Sequence, residues 1–259
     1  MKSIHLHGQP IGGGAKPLIC TPLVGKTPEA VLDELVVVLP KRPDLLEWRV
    51  DYFEDIGNAA TVIEVAGRIR KAAGAIPIIF TCRSMKEGGE RITLDSAAVV
   101  KLHEAVCAAR CVDIIDYELS NPAHELAQLR QASRANDVAM IMSYHNFQST
   151  PDAAFLTGKF LEAERLGADI GKVAAMPRSP EDVLTLLGAM WRASGAAGIP
   201  LIGMSMGGFG AVSRIVGGVF GSAVTFAVGK SSSAPGQIPI EDLRVALTTV
   251  GRSVTGNIS

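Results

Sequence analysis

Lys172 lies in the middle of Ala168-Asp169-Ile170-Gly171-Lys172-Val173-Ala174-Ala175-Met176, an apolar run of strand length. Burial in such a run strips the ammonium of its hydration and favours the neutral amine. A neutral amine is a nucleophile, and its usual targets are ketones and aldehydes, through a Schiff base. The alternative is a strand edge from which the side chain snorkels to water. Reactive groups on neighbouring strands decide between the two. The preceding apolar run closes on Ser143-Tyr144-His145, where a histidine can act as general acid or base near neutral pH. The other reading of His145, a hydrogen-bonded core imidazole, is outweighed by its place one strand before Lys172.

Further charges sit at strand ends. Period-two geometry points Glu47, Arg49 and Asp51 to one face and Trp48 and Val50 to the other. Three charges on a buried face must neutralise one another or meet a polar ligand. Arg83 closes the next run, with Glu87 four residues on, and Asp116-Tyr117-Glu118 sets two more carboxylates on one face. The glycine-rich stretch Met206-Gly207-Gly208-Phe209-Gly210 fails the dinucleotide fingerprint because position 213 is serine. Gly229-Lys230-Ser231 fails the P-loop pattern because position 224 is valine. Nucleotide binding is therefore disfavoured, and Arg214 suits a carboxylate held bidentately. Ser231-Ser232-Ser233-Ala234-Pro235-Gly236-Gln237 reads as a mobile lid or an ordinary surface connection, which composition does not separate.

Positioning these groups requires a repeating frame. Candidate strands fall at 18–24, 45–51, 76–83, 112–119, 138–145, 169–176, 199–205 and 222–229, with helical periodicity between them. Thr27-Pro28-Glu29 and Ser179-Pro180-Glu181 mark helix starts, each with a capping hydroxyl before proline. Eight β-then-α units in about 240 residues match a closed (β/α)8 barrel, whose chemistry sits at the C-terminal strand ends. A doubly wound open sheet is the alternative and usually has fewer strands. No linker divides the chain, so residues 18–259 form one barrel domain, and residues 1–17 form a short hairpin capping its N-terminal mouth.

The 259 residues are 47% hydrophobic and 20% charged, enough for a sizeable core, and the net charge of -1 gives no case for nucleic acid or membrane binding. No run reaches the roughly 18 apolar residues of a membrane span, and no signal peptide is evident, which makes the cytoplasm the default location. Cys20, Cys82, Cys107 and Cys111 form no CxxC pair and read as reduced core residues, the last two on one helical face.

Taken together, Glu47-x-Arg49-x-Asp51, Thr81-Cys82-Arg83, Asp116-x-Glu118, Ser143-Tyr144-His145, Asp169-Ile170-Gly171-Lys172, Ser205-Met206-Gly207 with Ser213-Arg214, and Ser233-Ala234-Pro235-Gly236-Gln237 resemble the type I 3-dehydroquinate dehydratases. The matches span Glu47 to Gln237 in consistent order. One departure is at the first strand, where some relatives carry a serine and this chain reads Thr21-Pro22-Leu23.

The resemblance implies dehydration of 3-dehydroquinate to 3-dehydroshikimate in the shikimate pathway, without metal or organic cofactor, by an enzyme that is often a dimer. It implies that Lys172 forms the imine and that His145 serves as acid and base in a syn elimination. Glu87 is the candidate partner that orients His145. Glu47, Arg49 and Arg83 would hold the ring hydroxyls, and Arg214, Ser233 and Gln237 the carboxylate. Asp116 and Glu118 would balance the cations. The nearest rival is a class I Schiff-base aldolase or transaldolase, which would want a phosphate nest after strands seven and eight. A non-catalytic metabolite-binding barrel is the rival from another class, but it needs neither Lys172 nor His145.

Overall fold

The computed structural model describes residues 2–14 and 16–256. Two short antiparallel strands, β1 (Ser3–Leu6) and β2 (Gln9–Gly12), open the chain. Eight parallel strands follow: β3 (Leu18–Leu23), β4 (Leu45–Arg49), β5 (Ile78–Thr81), β6 (Ile114–Glu118), β7 (Ala139–Asn146), β8 (Ile170–Ala175), β9 (Leu201–Ser205) and β10 (Val224–Val228). Between them run α1 (Pro28–Val38), α2 (Ala59–Ala73), α3 (Ser96–Ala109), α4 (Ala123–Ala135), α5 (Ala153–Arg165), α6 (Pro180–Ala196) and α7 (Gly207–Val216). A two-residue strand β11 (Ile238–Pro239) and helix α8 (Ile240–Thr255) complete the chain.

The sheet runs from β10 through β3 to β9 in sequence order, the expected (β/α)8 arrangement. Closure is confined to the base of the last seam. Leu201 bridges Ser222, and the Ala223 N–H donates to Leu201 O at 2.7 Å. Higher up, β11 pairs with β10 at Ala227 and Val228.

Strand alternation sorts the core into two parts. Outward residues such as Trp48, Phe80, Ile115 and Met140 pack under α2, α3 and α4. Inward residues Leu45, Ile79, Ile114, Ile141, Ile170 and Ile202 form an apolar floor inside the barrel, and Ile11 of the hairpin is buried against it. The hairpin therefore plugs the N-terminal mouth. Above that floor the inward positions of β4 to β7, and Lys172 on β8, turn polar, which puts every candidate reactive group at one end.

All eight expected strands form; seven are shortened, and the expected 138–145 strand is shifted one residue to Ala139–Asn146. The expected 45–51 strand stops at Arg49, because Val50–Tyr52 coils into a 3-10 turn closed by Phe53 N–H to Val50 O. Thr27 caps α1 as expected, accepting from Ala30 N–H at 3.3 Å. Ser179 makes no such bond to α6; Asp182 in the first turn accepts instead from the Arg178 N–H at 2.7 Å, tying the helix to the residue before Ser179. Cys111 does not share a helical face with Cys107, since Arg110 ends α3 in the left-handed conformation (φ 51°). All four cysteines are buried and free.

Candidate active site

Lys172 is on β8 and His145 on β7, adjacent strands whose register pairs Ser143 with Lys172 and His145 with Ala174. Both line one cavity together with Glu47, Arg49, Arg83, Glu87, Ser233 and Gln237. Eight of the nine expected site residues thus meet in one place.

The amine is held between carboxylates. Lys172 Nζ lies 2.9 Å from Asp116 Oδ2 and 3.3 Å from Glu47 Oε1, and 4.7 Å from the Phe226 ring centroid. Asp116 also accepts from Arg83 at 2.9 Å and from the Ser143 hydroxyl at 2.6 Å. Burial alone would raise the Asp116 pKa, but Arg83 and Lys172 outweigh it and hold the carboxyl well below its ordinary value. Arg83 reaches further to Glu118 at 3.1 Å, and Glu118 accepts from the Ser84 hydroxyl and N–H. Lys172 thus has the balancing carboxylate expected of Asp116, and Glu47 as a second. It is one member of a buried ionic lattice.

Asp51, assigned no role from sequence beyond sharing a face with Glu47 and Arg49, ties three segments together. It accepts from Arg49 Nε and Nη2, each at 2.8 Å, and from the Arg83 N–H at 3.3 Å and the Glu90 N–H at 3.1 Å. It can do so because the 3-10 turn carries it off the strand and back over Arg49. The remaining Arg49 donor reaches Ser233 O at 3.3 Å, linking β4 to the 231–237 loop.

Glu87, at the end of the 3-10 turn Met85–Glu87, accepts through Oε2 from the His145 N–H at 2.8 Å and lies 2.9 Å from His145 Nδ1. The Ser120 hydroxyl donates to its other oxygen at 2.7 Å. With Nδ1 engaged, Nε2 is the ring nitrogen left to act on a ligand.

Arg214 stands one step back from the cavity. It is 1% exposed, and its donors go to the carbonyls of Gly236 (2.9 Å), Pro235 (3.1 Å) and Phe226 (3.3 Å). Arg49 and Arg83 both have carboxylate partners, whereas burial lowers the Arg214 pKa to about 10 with no acid to offset it. The glycine-rich run forms the start of α7, and the Gly207 N–H donates to Pro235 O at 3.1 Å. Ser233 and Gln237 bond to each other, Gln237 Nε2 to Ser233 Oγ at 3.2 Å.

Met204, Met206, Phe226, Phe147 and Ala174 supply the apolar wall. No role was drawn for them from the sequence. Their signal was strand alternation, since Ala174 follows Lys172 by two and Met206 follows Met204 by two. Thr21 faces outward with its hydroxyl unpartnered, and Pro22 is the β3 residue that registers with Glu47. His103 is buried between Phe80 and Tyr117, and His7 contacts Asp113 at the opposite end of the barrel. Among the described residues no group of three or more His, Cys, Asp or Glu could hold a metal ion.

Fold and site define an enzyme of the (β/α)8 class, with an amine, an imidazole and paired carboxylates gathered at the C-terminal mouth. Comparison with known proteins narrows this. The family model for type I 3-dehydroquinase matches residues 19–254, and the chain belongs to that family. It is 56% identical over 246 residues to the 3-dehydroquinate dehydratase of Albidiferax ferrireducens, covering 95% of this chain and 93% of that one. The crystal structure of 3-dehydroquinate dehydratase from Geobacillus kaustophilus superposes with a TM-score of 0.94 at 48% identity, covering 96% of each chain. The type I enzyme of Clostridium difficile, solved with covalently modified comenic acid, gives 0.93 at 36% identity, covering 98% of this chain and all of that one.

The Glu87–His145 pair sets a pH dependence. Burial, reinforced by Glu118, pushes the Glu87 carboxyl up to about 7. Burial, with Arg83 and Lys172 adding to it, holds the His145 imidazole well below its ordinary value. A raised carboxyl contributes stability that is full below its unfolded pKa of about 4.3 and lost as pH rises through about 7. A depressed imidazole contributes stability present above its unfolded value of about 6.5 and lost as pH falls through its folded one. Over roughly pH 5–6.5 the two slopes oppose and cancel, because folded and unfolded pairs each hold one proton. Glu87→Gln removes the first slope alone. Its stability relative to the parent is expected to rise with pH by up to about 1.4 kcal/mol per unit in that window. Urea midpoints across the window check this, and a flat or falling difference would contradict it.

Proposed function

We propose that this chain dehydrates 3-dehydroquinate to 3-dehydroshikimate through an imine on Lys172, with His145 as the acid and base. The observation that carries this reading is the convergence of a buried amine and a carboxylate-oriented imidazole, from adjacent strands, on one cavity. The Lys172 nitrogen attacks the ring ketone, an N–C bond forms, and the ketone oxygen leaves as water. The iminium withdraws electrons, so His145 Nε2 can take the proton on the adjacent carbon to give an enamine. Electrons returning through the enamine expel the hydroxyl on the next carbon. His145 hands its proton to that hydroxyl, which departs as water on the same face, and hydrolysis of the conjugated iminium frees the product. The covalently modified comenic acid in the Clostridium difficile relative supports a family site that bonds covalently to a small acid.

Binding follows from residue chemistry. Glu47, Arg49 and Arg83 mix acceptors and donors as a polyhydroxylated ring needs. Ser233 and Gln237 face its carboxylate, and Arg214 behind them is the buried cation that lacks a counter-anion. Residues 18–259 act as the catalytic barrel and the hairpin of the first 17 residues as its floor. No described helix is long and apolar enough to cross a membrane. Four free buried cysteines fit the reducing cytoplasm, where we place the enzyme as a homodimer. Light scattering should give about twice the 27.2 kDa of one chain; a value equal to one chain would contradict the dimer.

Incubation with 3-dehydroquinate should yield a conjugated enone by loss of water, and retro-aldol fragments would contradict the assignment. Lys172→Ala should abolish turnover. His145→Ala should lower kcat about 10²–10⁴-fold while leaving the lysine able to form an adduct. Arg214→Ala should act mainly through KM, and an unchanged KM would remove it from carboxylate binding.

A further inference from the structure

Three sides of the Lys172 amine are accounted for by Asp116, Glu47 and the ring of Phe226. The two carboxylates serve an ammonium well, because it has three N–H donors to give them. The iminium of the proposed mechanism does not. In that step one N–C bond forms, the ketone oxygen leaves as water, and the nitrogen keeps a single N–H while retaining the full positive charge. One carboxylate hydrogen bond is therefore forfeited just when a cation must be stabilised. An aromatic face needs no N–H, since its quadrupole attracts the charge itself. Phe226 is 3% exposed, so water scarcely screens it, and its centroid lies 4.7 Å from Nζ, within cation–π range.

The ring is also fixed. Phe226 sits on β10 opposite Cys20 of β3, and its carbonyl accepts from Arg214. Met204 and Met206 complete the same apolar wall without offering a comparable electrostatic face.

We propose that Phe226 is a catalytic residue whose ring face stabilises the iminium on Lys172 as a cation–π partner. This rests on the imine reading above. It assigns the ring an electronic role in addition to its shape. The ring favours both charged intermediates, the first iminium and the conjugated one, over the neutral enamine between them.

The test varies the quadrupole at nearly constant shape. Position 226 is filled in turn by phenylalanine, 4-fluoro-, 3,5-difluoro- and 3,4,5-trifluorophenylalanine, alongside Phe226→Leu. Each protein is saturated with 3-dehydroshikimate, a borohydride pulse and intact mass confirm the adduct, and the ultraviolet band of the conjugated iminium is followed as the pH is raised. The iminium should give way to the neutral imine more readily with each added fluorine, by about tenfold across the series or about one pH unit in the midpoint of that band, with Leu at the low end. Equal midpoints across the fluorinated series would overturn the electronic role, even if Leu alone were impaired. Absence of any adduct in the unsubstituted chain would overturn the imine reading and this proposal with it, so the two failures are distinct.

Discussion

Asp116 is the contact on which the rest of the site depends. It is fully enclosed and takes Lys172, Arg83 and the Ser143 hydroxyl at once, at 2.9, 2.9 and 2.6 Å. Burying an unpaired carboxylate or ammonium is prohibitively costly, so each partner makes the others' burial tolerable. Removing one partner of such a pair typically costs about 3–5 kcal/mol, because the others are left uncompensated. The arrangement also fixes geometry. Arg83 carries the lattice on to Glu118, and Asp51 links Arg49 to the Arg83 backbone. Lys172, Glu47, Arg49 and Arg83 are thereby set on one rigid frame.

A second constraint comes from the incomplete seam between β9 and β10. The two strands meet only near Leu201 and Ser222, so the upper edge of β10 lacks a full partner. β11 covers part of that edge, and Arg214 donates to the Phe226 carbonyl on it. The same guanidinium holds Pro235 and Gly236, and Gly207 binds Pro235 from the start of α7. Gly236 has φ +75°, and a Cβ there would come within 2.1 Å of Gly207 O. The 231–237 segment is thus fastened over the cavity by backbone contacts that a larger residue would break. The gap that leaves the barrel seam unfinished is also what admits the buried guanidinium of Arg214 behind the 231–237 segment.

Much of this could be read from the chain. Alternation put Glu47 with Arg49 and Asp116 with Glu118 on shared faces, and the order of strands placed Lys172 beside His145. What alternation does not supply is height along the barrel axis, which depends on register between strands. For that reason Phe226 and Met204 gave no sign of reaching the amine or the cavity, although their inward direction was implicit. Asp51 was placed on the correct face for an incomplete reason, since it leaves the strand and turns back onto Arg49. Ser179 shows the same limit at a helix start: it stands at the N-cap position, yet its side chain makes no capping bond. Arg214 stands behind the loop because it reaches carbonyls 12 to 22 residues further along the chain, a tertiary contact that local pattern does not reveal.

The central claim is that Lys172 bonds covalently to the substrate. Borohydride reduction during turnover of 3-dehydroquinate, followed by peptide mass spectrometry, tests it most directly. The account predicts a single substrate-dependent adduct on the peptide containing Lys172, absent without ligand and absent in Lys172→Ala. Turnover with no adduct, or an adduct on any other lysine, would contradict it.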